Sequence, residues 1–360
     1  MATLVDAGIG TIDSPICDTG RTRKCFYAQG RRWVFYIDNA DYVWKSAGPD
    51  YVWSAKQNTN VPPGVWNLDR GTKGTCWYSA TQNKVYLAAA RGAAGDGIWF
   101  RSGTPQSDGS ITWTAPWVAA VVAARQSLYP CICVDTDGYV WISYYYSADG
   151  TSTRVTRSGN NDGTWGITPP GFPYTILTGP AWRSACVPMT AGKIAVFAAC
   201  PNNMQRMKCQ IWTGAAWLPL ENVANLNVSQ NNYVPVIAVD DDLFVMAFRG
   251  LYPNTHTSWS YRLWSAGVWA NYQEFEAGIL VGQFFLDVIT KEIYYFYDHL
   301  GLPRYKVLDT TTLTWGPEQT WGPGGVAAPF YSRPNQSTPI GVAYAVGGWN
   351  IYYDEMVMLP

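Results

Sequence analysis

The stretch that decides the fold reads PCICVDTDGYVWISYYY (130–146), followed by RVTRSGNNDGTW (154–165). The first segment is a run of apolar and β-branched residues divided by a turn-forming Asp-Thr-Asp-Gly. It predicts a hairpin whose two strands are covered on both faces. The second segment is a strand that ends in a polar turn and resumes at Trp165. Together they predict four antiparallel strands, the size of one blade of a β-propeller.

The same unit of two hairpins recurs along the chain. A Trp closes each unit at intervals of 46 to 60 residues: Trp53, Trp113, Trp165, Trp217, Trp269 and Trp315. A buried hairpin precedes each of them, at 24–38, 75–90, 130–146, 184–199, 234–248 and 282–297. A repeat of this length is typical of propeller blades.

A seventh unit at 328–359 supplies three strands, and segment 3–12 is the natural fourth. Pairing the two ends of the chain would close the ring and remove its open edges. The sequence therefore predicts an all-β fold, a seven-bladed β-propeller of four-stranded antiparallel blades in one domain, 1–360. The approximate blades are 20–60, 72–115, 128–168, 182–220, 232–272, 280–318, and 326–359 with 3–12.

Composition excludes several classes of partner. Charged residues make up 14% of the chain, the net charge is −1 and there is no basic run, so we expect no nucleic-acid binding. No stretch reaches 18 apolar residues, so we expect no membrane insertion. The N-terminal MATLVDAGIG lacks the charged and apolar regions of a signal peptide, which predicts synthesis in the cytoplasm.

The eight cysteines are dilute. Four fall at equivalent places in successive units, and we expect them to be small buried thiols on the innermost strands: Cys25, Cys76, Cys131 and Cys186. Cys200 and Cys209 flank a predicted turn and are the pair for which a disulfide is worth checking. No Cys/His cluster is present, so we expect neither a metal nor another cofactor. The acidic segments 135–138 and 240–242 are interpreted as turns rather than calcium loops.

One of the closing hairpins carries a known motif. Residues 158–165 (SGNNDGTW) resemble the Asp-box of sialidase-like propellers, with Asn160 and Asp162 at its Asp and Gly places. Residues 107–113 (SDGSITW) carry the same elements one residue out of register, and the other units keep little beyond the Trp. The resemblance implies a structural role, in which a side chain caps the turn and the Trp wedges between sheets.

The last unit, PFYSRPNQSTPIGVAYAVGG (329–348), is similar to the final blade of sialidases. That resemblance implies a nucleophilic Tyr331, with Glu274 or Glu276 as the carboxylate that activates it. It also implies a clamp of arginines for a carboxylate, formed by Arg23 with Arg183 and Arg249. The chain departs from the family where Arg-Ile-Pro is replaced by Arg-Lys-Cys at 23–25, and the general-acid Asp has no clear counterpart.

Loops at the inner ends of the second strands supply further candidates. We expect a polar and aromatic ring that binds a ligand, although strand capping would also explain these residues. Its predicted members are Arg91, Arg249, Tyr252, His256, Asp298 and His299, with Trp66 and Trp182 as platforms for sugar rings. Trp117 and Trp321 also lie outside the repeat positions, and we expect them to be platforms for sugar rings as well.

Three functions remain open at this point. The first is a non-enzymatic propeller that binds glycans or other virion or host surface proteins, or packs into an assembly such as a virus or phage particle. The second is a sialidase-like glycosidase with a Tyr nucleophile and an Arg clamp. The third is a polysaccharide lyase on the same fold. Fold similarity alone does not decide among them.

Overall fold

The computed structural model describes the strands and most of the turns. The described residues are 2–9, 23–38, 41–61, 74–90, 97–122, 127–146, 152–179, 183–200, 206–224, 235–240, 243–249, 257–263, 268–270, 273–276, 279–299, 302–321, 326–329, 331–333, 338–346 and 350–356.

Within these ranges the chain contains no helix, and its strands form seven sheets. Strand β1 (Thr3–Asp6) comes first in the chain and belongs to the last sheet. Sheet 1 contains β2 (Cys25–Ala28), β3 (Arg31–Asp38), β4 (Asp41–Ala47) and β5 (Gln57–Asn58). Sheet 2 contains β6 (Gly74–Ser79), β7 (Lys84–Ala90), β8 (Ile98–Pro105), β9 (Ile111–Trp113) and β10 (Val118–Val121).

The next three sheets follow in chain order. Sheet 3 contains β11 (Ser127–Val134), β12 (Val140–Tyr146), β13 (Ser152–Arg157) and β14 (Tyr174–Thr178). Sheet 4 contains β15 (Arg183–Pro188), β16 (Ile194–Cys200), β17 (Arg206–Trp212) and β18 (Glu221–Ala224). Sheet 5 contains β19 (Val236–Ala238), β20 (Leu243–Arg249), β21 (Thr257–Leu263), β22 (Val268–Trp269) and β23 (Gln273–Glu276).

The last two sheets share the end of the chain. Sheet 6 contains β24 (Ile279–Asp287), β25 (Glu292–His299), β26 (Leu302–Asp309), β27 (Thr314–Trp315) and β28 (Gln319–Thr320). Sheet 7 contains β29 (Val326–Pro329), β31 (Ile340–Val346) and β32 (Asn350–Met356), with β1 as its outer strand. Between them, β30 (Ser332–Arg333) adds to β24 of sheet 6 in parallel. The chain is thus an all-β propeller of antiparallel sheets.

The six predicted inner hairpins are all present as the first two strands of sheets 1 to 6. Their turns use the conformations that tight hairpins require. Gln29 and Gly30, between β2 and β3, both have positive φ angles, of 54° and 72°. Such paired left-handed residues match the twist of the flanking strands, which explains why Gly follows Gln at this turn.

The outer strand departs from the four-strand prediction in three sheets. In sheets 2, 5 and 6, two short segments pair with the same third strand. Pro116 separates the two segments in sheet 2, and Pro317 separates those in sheet 6. Because Pro has no N–H to donate to the ladder, pairing is interrupted there.

The predicted pairing of the two ends of the chain is present. β1 runs antiparallel to β32, with Thr3 opposite Tyr353 and Leu4 opposite Tyr352. Apolar clusters lie between neighbouring sheets throughout: one joins sheets 1 and 2, one runs through sheets 2 to 5, one joins sheets 5 and 6, and one joins sheets 6, 7 and 1. The core therefore sits between the faces of successive sheets.

The Asp-box at 158–165 has the structural role that the resemblance implies. Asp162 Oδ1 accepts hydrogen bonds from the backbone N–H of Thr164 (2.9 Å) and from its hydroxyl (2.6 Å). Ser102 of sheet 2 donates to the carbonyl of Gly163 (2.6 Å), and Trp165 packs on Phe100 of sheet 2 at 5.4 Å. The motif therefore ties sheet 3 to sheet 2.

The prediction that the other units keep little beyond the Trp is wrong for the first unit. In SAGPDYVW (46–53), Asp50 Oδ1 accepts from the N–H of Val52 (3.3 Å), as Asp162 does in its own turn. Trp53 packs on Tyr353 of sheet 7 at 5.6 Å. The two segments share Ser, Asp and Trp at the same spacing. The likeness between the two segments is hard to see in the sequence because the remaining positions of the motif hold different residues.

A buried ion pair joins sheets 7 and 1. Arg32 binds both carboxylate oxygens of Glu355, through Nε at 2.6 Å and Nη2 at 2.9 Å. The hydroxyls of Tyr51 (2.6 Å) and Tyr353 (2.8 Å) also donate to this carboxylate. Burial raises the pKa of Glu355. The hydrogen bonds from Arg32 and the two tyrosines together lower this pKa by more than burial raises it, so the pKa lies below its ordinary value.

The cysteines behave as predicted on the innermost strands. Cys25, Cys76, Cys131 and Cys186 are buried thiols of β2, β6, β11 and β15. The possible Cys200–Cys209 bridge is not supported by the strand register. Cys209 lies opposite Phe197, and Cys200 lies opposite Arg206. A disulfide needs the two residues to be close across the ladder.

We predict that Glu355→Gln destabilises the protein by about 3 kcal/mol at neutral pH, because it leaves the Arg32 guanidinium buried without its anion. Urea denaturation of both proteins measures this. The matched control is Asp41→Asn, an exposed acid at the start of β4, whose unfolding free energy should change by less than about 0.5 kcal/mol.

The pH dependence gives this prediction its sign. Because the pKa of Glu355 is lowered in the folded state, its contribution is complete above the ordinary value of 4.5 and is lost as the pH falls through the folded-state pKa. The difference between wild type and Glu355→Gln should therefore shrink in acid. A difference that stays constant from neutral pH to pH values well below 4.5 would contradict the role of the ion pair.

Candidate functional site: the central cavity

A cavity of about 600 Å³ lies where the innermost strands converge. We call it the central cavity. Its rim is formed by the turns that follow four of these strands, at 79–81, 134–136, 188–190 and 238–240. Leu286 and Val288 of sheet 6 and the first strand of sheet 1 complete the wall. The volume falls within the range of about 300–1,000 Å³ that is usual for small-molecule sites.

Aromatic side chains from sheets 1 and 2 form one wall of the central cavity. They come from two equivalent segments, Cys-Phe-Tyr at 25–27 and Cys-Trp-Tyr at 76–78. Phe26 and Tyr78 stack across the two sheets at 4.7 Å with an interplanar angle of 8°. Such rings offer flat apolar faces, with hydroxyl groups at the tips of the tyrosines.

Arg23 and Tyr331 form the inner end of the central cavity, together with the thiols of Cys25 and Cys76. The guanidinium carbon of Arg23 lies 4.7 Å from the centre of the Tyr331 ring, and the Trp77 ring lies 4.4 Å from it. Arg23 Nη1 also donates to the carbonyl of Phe284 at 2.7 Å. The structure thus brings together two of the residues that the sequence predicted.

The nucleophiles at this inner end are held protonated. Burial raises the pKa of the Tyr331 hydroxyl, although the positive charge of Arg23 opposes the shift. Burial also raises the pKa of Cys76 to about 12, against the effects of Lys24 and Arg23. In both groups burial therefore favours the protonated form.

The aspartates at the rim of the central cavity accept hydrogen bonds from nearby backbone N–H groups. Asp135 Oδ1 accepts from the backbone N–H groups of Asp137 (3.0 Å) and Tyr139 (2.9 Å), and its Oδ2 accepts from Trp141 Nε1 (2.7 Å). Burial raises the pKa of Asp135, and these hydrogen bonds only partly offset the shift. Asp240 Oδ1 accepts from the N–H of Leu243 at 3.2 Å. The interpretation of 135–138 as a turn is confirmed, whereas residues 241 and 242 of the second segment lie outside the described residues.

For the other residues of the predicted Arg clamp and its carboxylate, the structure describes the side chain of Arg183 and the backbone of Arg249 and Glu274. Arg183 lies at the start of β15 and stacks on Tyr129, with its guanidinium carbon 3.6 Å from the ring centre. Arg249 is the last residue of β20, and Glu274 lies in β23, the outer part of sheet 5. The backbone therefore separates Glu274 from the innermost strands, where Tyr331 is found.

The described members of the predicted ligand ring, Arg249, Asp298 and His299, lie at the other end of the strands. β7, β20 and β25 run antiparallel to the innermost strands, so their ends lie away from the rim of the central cavity. Asp298 and Arg249 occupy such ends, and Arg91 follows β7. Outside the described residues are Arg91, Tyr252, His256, Trp66 and Trp182.

His299 at that far end is engaged by its neighbours. Its Nδ1 lies 3.2 Å from Glu318 Oε2, which also accepts from the Tyr297 hydroxyl at 2.6 Å. Arg304 Nε lies 3.4 Å from the other oxygen of Glu318. The group links the second, third and outer strands of sheet 6.

Trp117 and Trp321 are not the sugar platforms that the sequence predicted. Both are buried, with 6% and 8% of their surface exposed. Trp117 Nε1 donates to the carbonyl of Thr59 at 2.7 Å, and Trp321 meets Tyr344 edge-on at 5.2 Å. These two tryptophans occur outside the repeat positions because they pack between sheets.

The aromatic wall was missed because the hairpins that carry it were assigned wholly to the core. The signal was available in the sequence. Tyr27 and Tyr78 each stand two residues after a repeat cysteine, so both occupy the same register near the end of an innermost strand. Such a shared place in two units predicts one shared surface.

Metal-binding clusters and membrane-crossing helices are both absent from the described residues. Among the described residues no group of three or more His, Cys, Asp or Glu side chains is placed to hold a metal ion. The described part of the chain also has no helix of the length and apolar character needed to cross a membrane.

Comparison with known proteins concerns the fold. No protein-family model and no curated protein matches the chain. Among solved structures, a PL25 ulvan lyase bound to a saccharide superposes with a TM-score of 0.64 at 10% identity, over 97% of this chain and 94% of the lyase. The BP39L lectin of Burkholderia pseudomallei gives 0.63 at 11% identity, over 97% and 98%. A Hadza microbial sialidase gives 0.52 at 12% identity, over 90% and 76%.

These neighbours are lyase, lectin and sialidase propellers. They agree with the resemblance to sialidase-like propellers that the Asp-box indicated. At such low identities the likeness extends to the fold and to no residue of the site.

We predict that Cys25 and Cys76 resist alkylation in the folded protein. With the pKa of Cys76 at about 12, roughly one thiol in ten thousand is ionised at pH 8, against about a quarter for an ordinary cysteine. Mass spectrometry of iodoacetamide-treated protein, native and in urea, measures the difference. Native rates at least about 100-fold slower are expected; rates equal to those in urea would contradict the buried, protonated inner end.

Proposed function

We propose that this protein is a glycan-binding propeller whose ligand occupies the central cavity. The observation that carries the proposal is the pairing of an aromatic wall with a rim of hydroxyl-bearing turns around one cavity. The wall presents Tyr27 and Tyr78, and the rim holds Thr81 and Thr190. Lyase, lectin and sialidase propellers with the same fold support a saccharide ligand.

The chemistry of this arrangement suits a sugar. One face of a pyranose ring presents C–H groups that pack well on an aromatic ring, while its hydroxyls need hydrogen-bond partners at the edges. The wall meets the first requirement. For the second, the Tyr78 hydroxyl already donates to Asn83 Oδ1 at 3.0 Å, and its oxygen can still accept from a sugar hydroxyl. The candidate activating carboxylate, Glu274, lies in β23 at the outer part of sheet 5, away from the innermost strands, so binding without turnover is the function we assign.

The proposal includes the architecture that frames the site. We infer that the seven described sheets are seven blades of one ring within a single domain, residues 1–360. The pairing of β1 with β32, the shared apolar clusters and the ion pair between sheets 7 and 1 support closure of the ring.

We also propose that the protein is part of a virus or phage particle, where it would bind surface glycans of a host. Buried thiols suit folding in a reducing cytoplasm. Proteomics of purified particles tests this part: the chain should co-purify with the particle, and its absence would remove the viral role while leaving glycan binding intact.

We predict that Tyr78→Ala weakens binding at least about tenfold, because truncation removes a contact worth about 1.4 kcal/mol or more. A glycan array followed by titration of the tightest ligand measures the loss. The matched control is Tyr146→Ala. Tyr146 is the last residue of β12, at the end of that strand away from the rim of the central cavity, so the affinity of this variant should stay within about twofold of wild type.

The control also decides which end of the propeller is used. A loss confined to Tyr146→Ala would move the site to the loops at the far end and contradict the central cavity. An array on which the wild-type protein binds no glycan would contradict the function itself.

The contact between Arg23 and Tyr331 favours one alternative, a sialidase-like glycosidase. That reading expects hydrolysis of a fluorogenic sialoside, abolished in Tyr331→Phe, which removes the hydroxyl. Our proposal expects no hydrolysis by either protein. Turnover by the wild type that disappears in Tyr331→Phe would establish the glycosidase and overturn the binding function.

A further inference from the structure

We infer that Tyr331 closes the channel along the ring axis, so that the central cavity is a blind pocket that takes the end of a glycan chain and excludes its interior. The inference rests on the proposed function and adds the class of ligand to it. It is carried by the contacts of one side chain with sheets on opposite sides of the ring.

The contacts of Tyr331 reach across the axis. Its carbonyl accepts from the N–H of Leu286 in sheet 6 at 2.9 Å, and its hydroxyl faces the backbone of Ala238 in sheet 5. Its ring lies 4.4 Å from Trp77 of sheet 2. Contacts between neighbouring innermost strands place sheets 3 and 4 between sheets 2 and 5 on one side, and sheets 7 and 1 between sheets 6 and 2 on the other.

Two separate apolar clusters confirm the central position of this ring. Tyr331 packs against the cluster that runs through sheets 2 to 5 and also against the cluster of sheets 5 and 6. A side chain confined to one gap between sheets would join only the cluster in that gap. Tyr331 therefore lies where the innermost strands meet.

The residue is anchored and does not behave as a lid. The segment that follows it, β30, pairs in parallel with β24, so that Ser332 lies opposite Leu286 and Arg333 lies opposite Asp287. The guanidinium of Arg23 covers the Tyr331 ring at 4.7 Å and is itself bonded to Phe284. Opening the channel would break the strand pairing and the stacking together.

A blind pocket selects ligands by topology. An interior residue of a polysaccharide has chain on both sides and needs two exits, whereas a terminal residue needs one. With Tyr331 closing its inner end, the central cavity admits a chain past the rim, and only a chain end can reach that inner end. The amount of protein bound should therefore depend on the number of chain ends and not on the mass of sugar.

The test compares intact and shortened polymers of the same sugars. Dextran, hyaluronan, alginate and colominic acid are each used whole and after partial hydrolysis, at equal sugar mass, in titrations of the full-length protein. For a polymer that binds, cutting each chain into about ten pieces should raise the amount of protein bound per unit of sugar about tenfold at limiting ligand. Maltoheptaose and its cyclic counterpart β-cyclodextrin add a pair that differs only in having ends.

Each outcome is decisive. Equal binding per unit of sugar before and after hydrolysis, or binding of β-cyclodextrin equal to that of maltoheptaose, overturns the inference and leaves glycan binding standing. No binding of any polymer, any fragment or any glycan on the array overturns the proposed function as well.

Variants of Tyr331 separate closure from other roles. Tyr331→Ala opens the channel and should lower the ratio of end binding to interior binding toward one, whereas Tyr331→Phe keeps the ring and should keep the preference. A Tyr331→Ala protein that folds and retains the full preference contradicts closure by this residue. If Tyr331→Ala fails to fold, the polymer comparison with the wild type and Tyr331→Phe still decides the inference.

Discussion

The structure depends on the burial of both faces of every sheet. The second strand of sheet 3 shows the constraint, since Trp141, Ile142 and Val140 are all completely buried although their side chains alternate between faces. A sheet with two apolar faces has no stable form alone and needs a neighbour on each side. Repeating such a sheet along one chain gives a row of packed sheets, and the ring closure that we propose would keep the two end faces of that row out of water.

The contacts between sheets then set where a ligand can bind. Each closing Trp and each Ser-to-carbonyl bond of the Asp-box type fixes one sheet against the previous one, as Trp165 and Ser102 do for sheets 2 and 3. Tight packing between sheets leaves free space mainly where the innermost strands converge. The side chains near the ends of those strands therefore have two duties, and Tyr78 performs both by stacking on Phe26 and lining the central cavity.

Sequence reasoning succeeded where a residue's role repeats with the fold. The closing Trp residues, the buried thiols at Cys76 and Cys131, and the pairing of segment 3–12 with the last unit all follow from periodicity, because burial imposes the same residue type at the same place. The site was harder, since spacing along the chain does not say which end of a strand faces a cavity. Trp321 looked available because it lies outside the repeat, yet it fills a gap between sheets 6 and 7. Arg23 and Tyr331, 308 positions apart in the sequence, were paired only through a family resemblance.

The account places a saccharide in the central cavity, above Tyr331. The most direct measurement is a crystal structure of the protein with the tightest oligosaccharide from the array. We expect one terminal sugar against Tyr27 and Tyr78, at the end of the cavity that Tyr331 closes, with the remaining chain leaving past the rim. Density for the sugar at the opposite end of the strands, near Arg183 or His299, with the central cavity empty, would contradict the account.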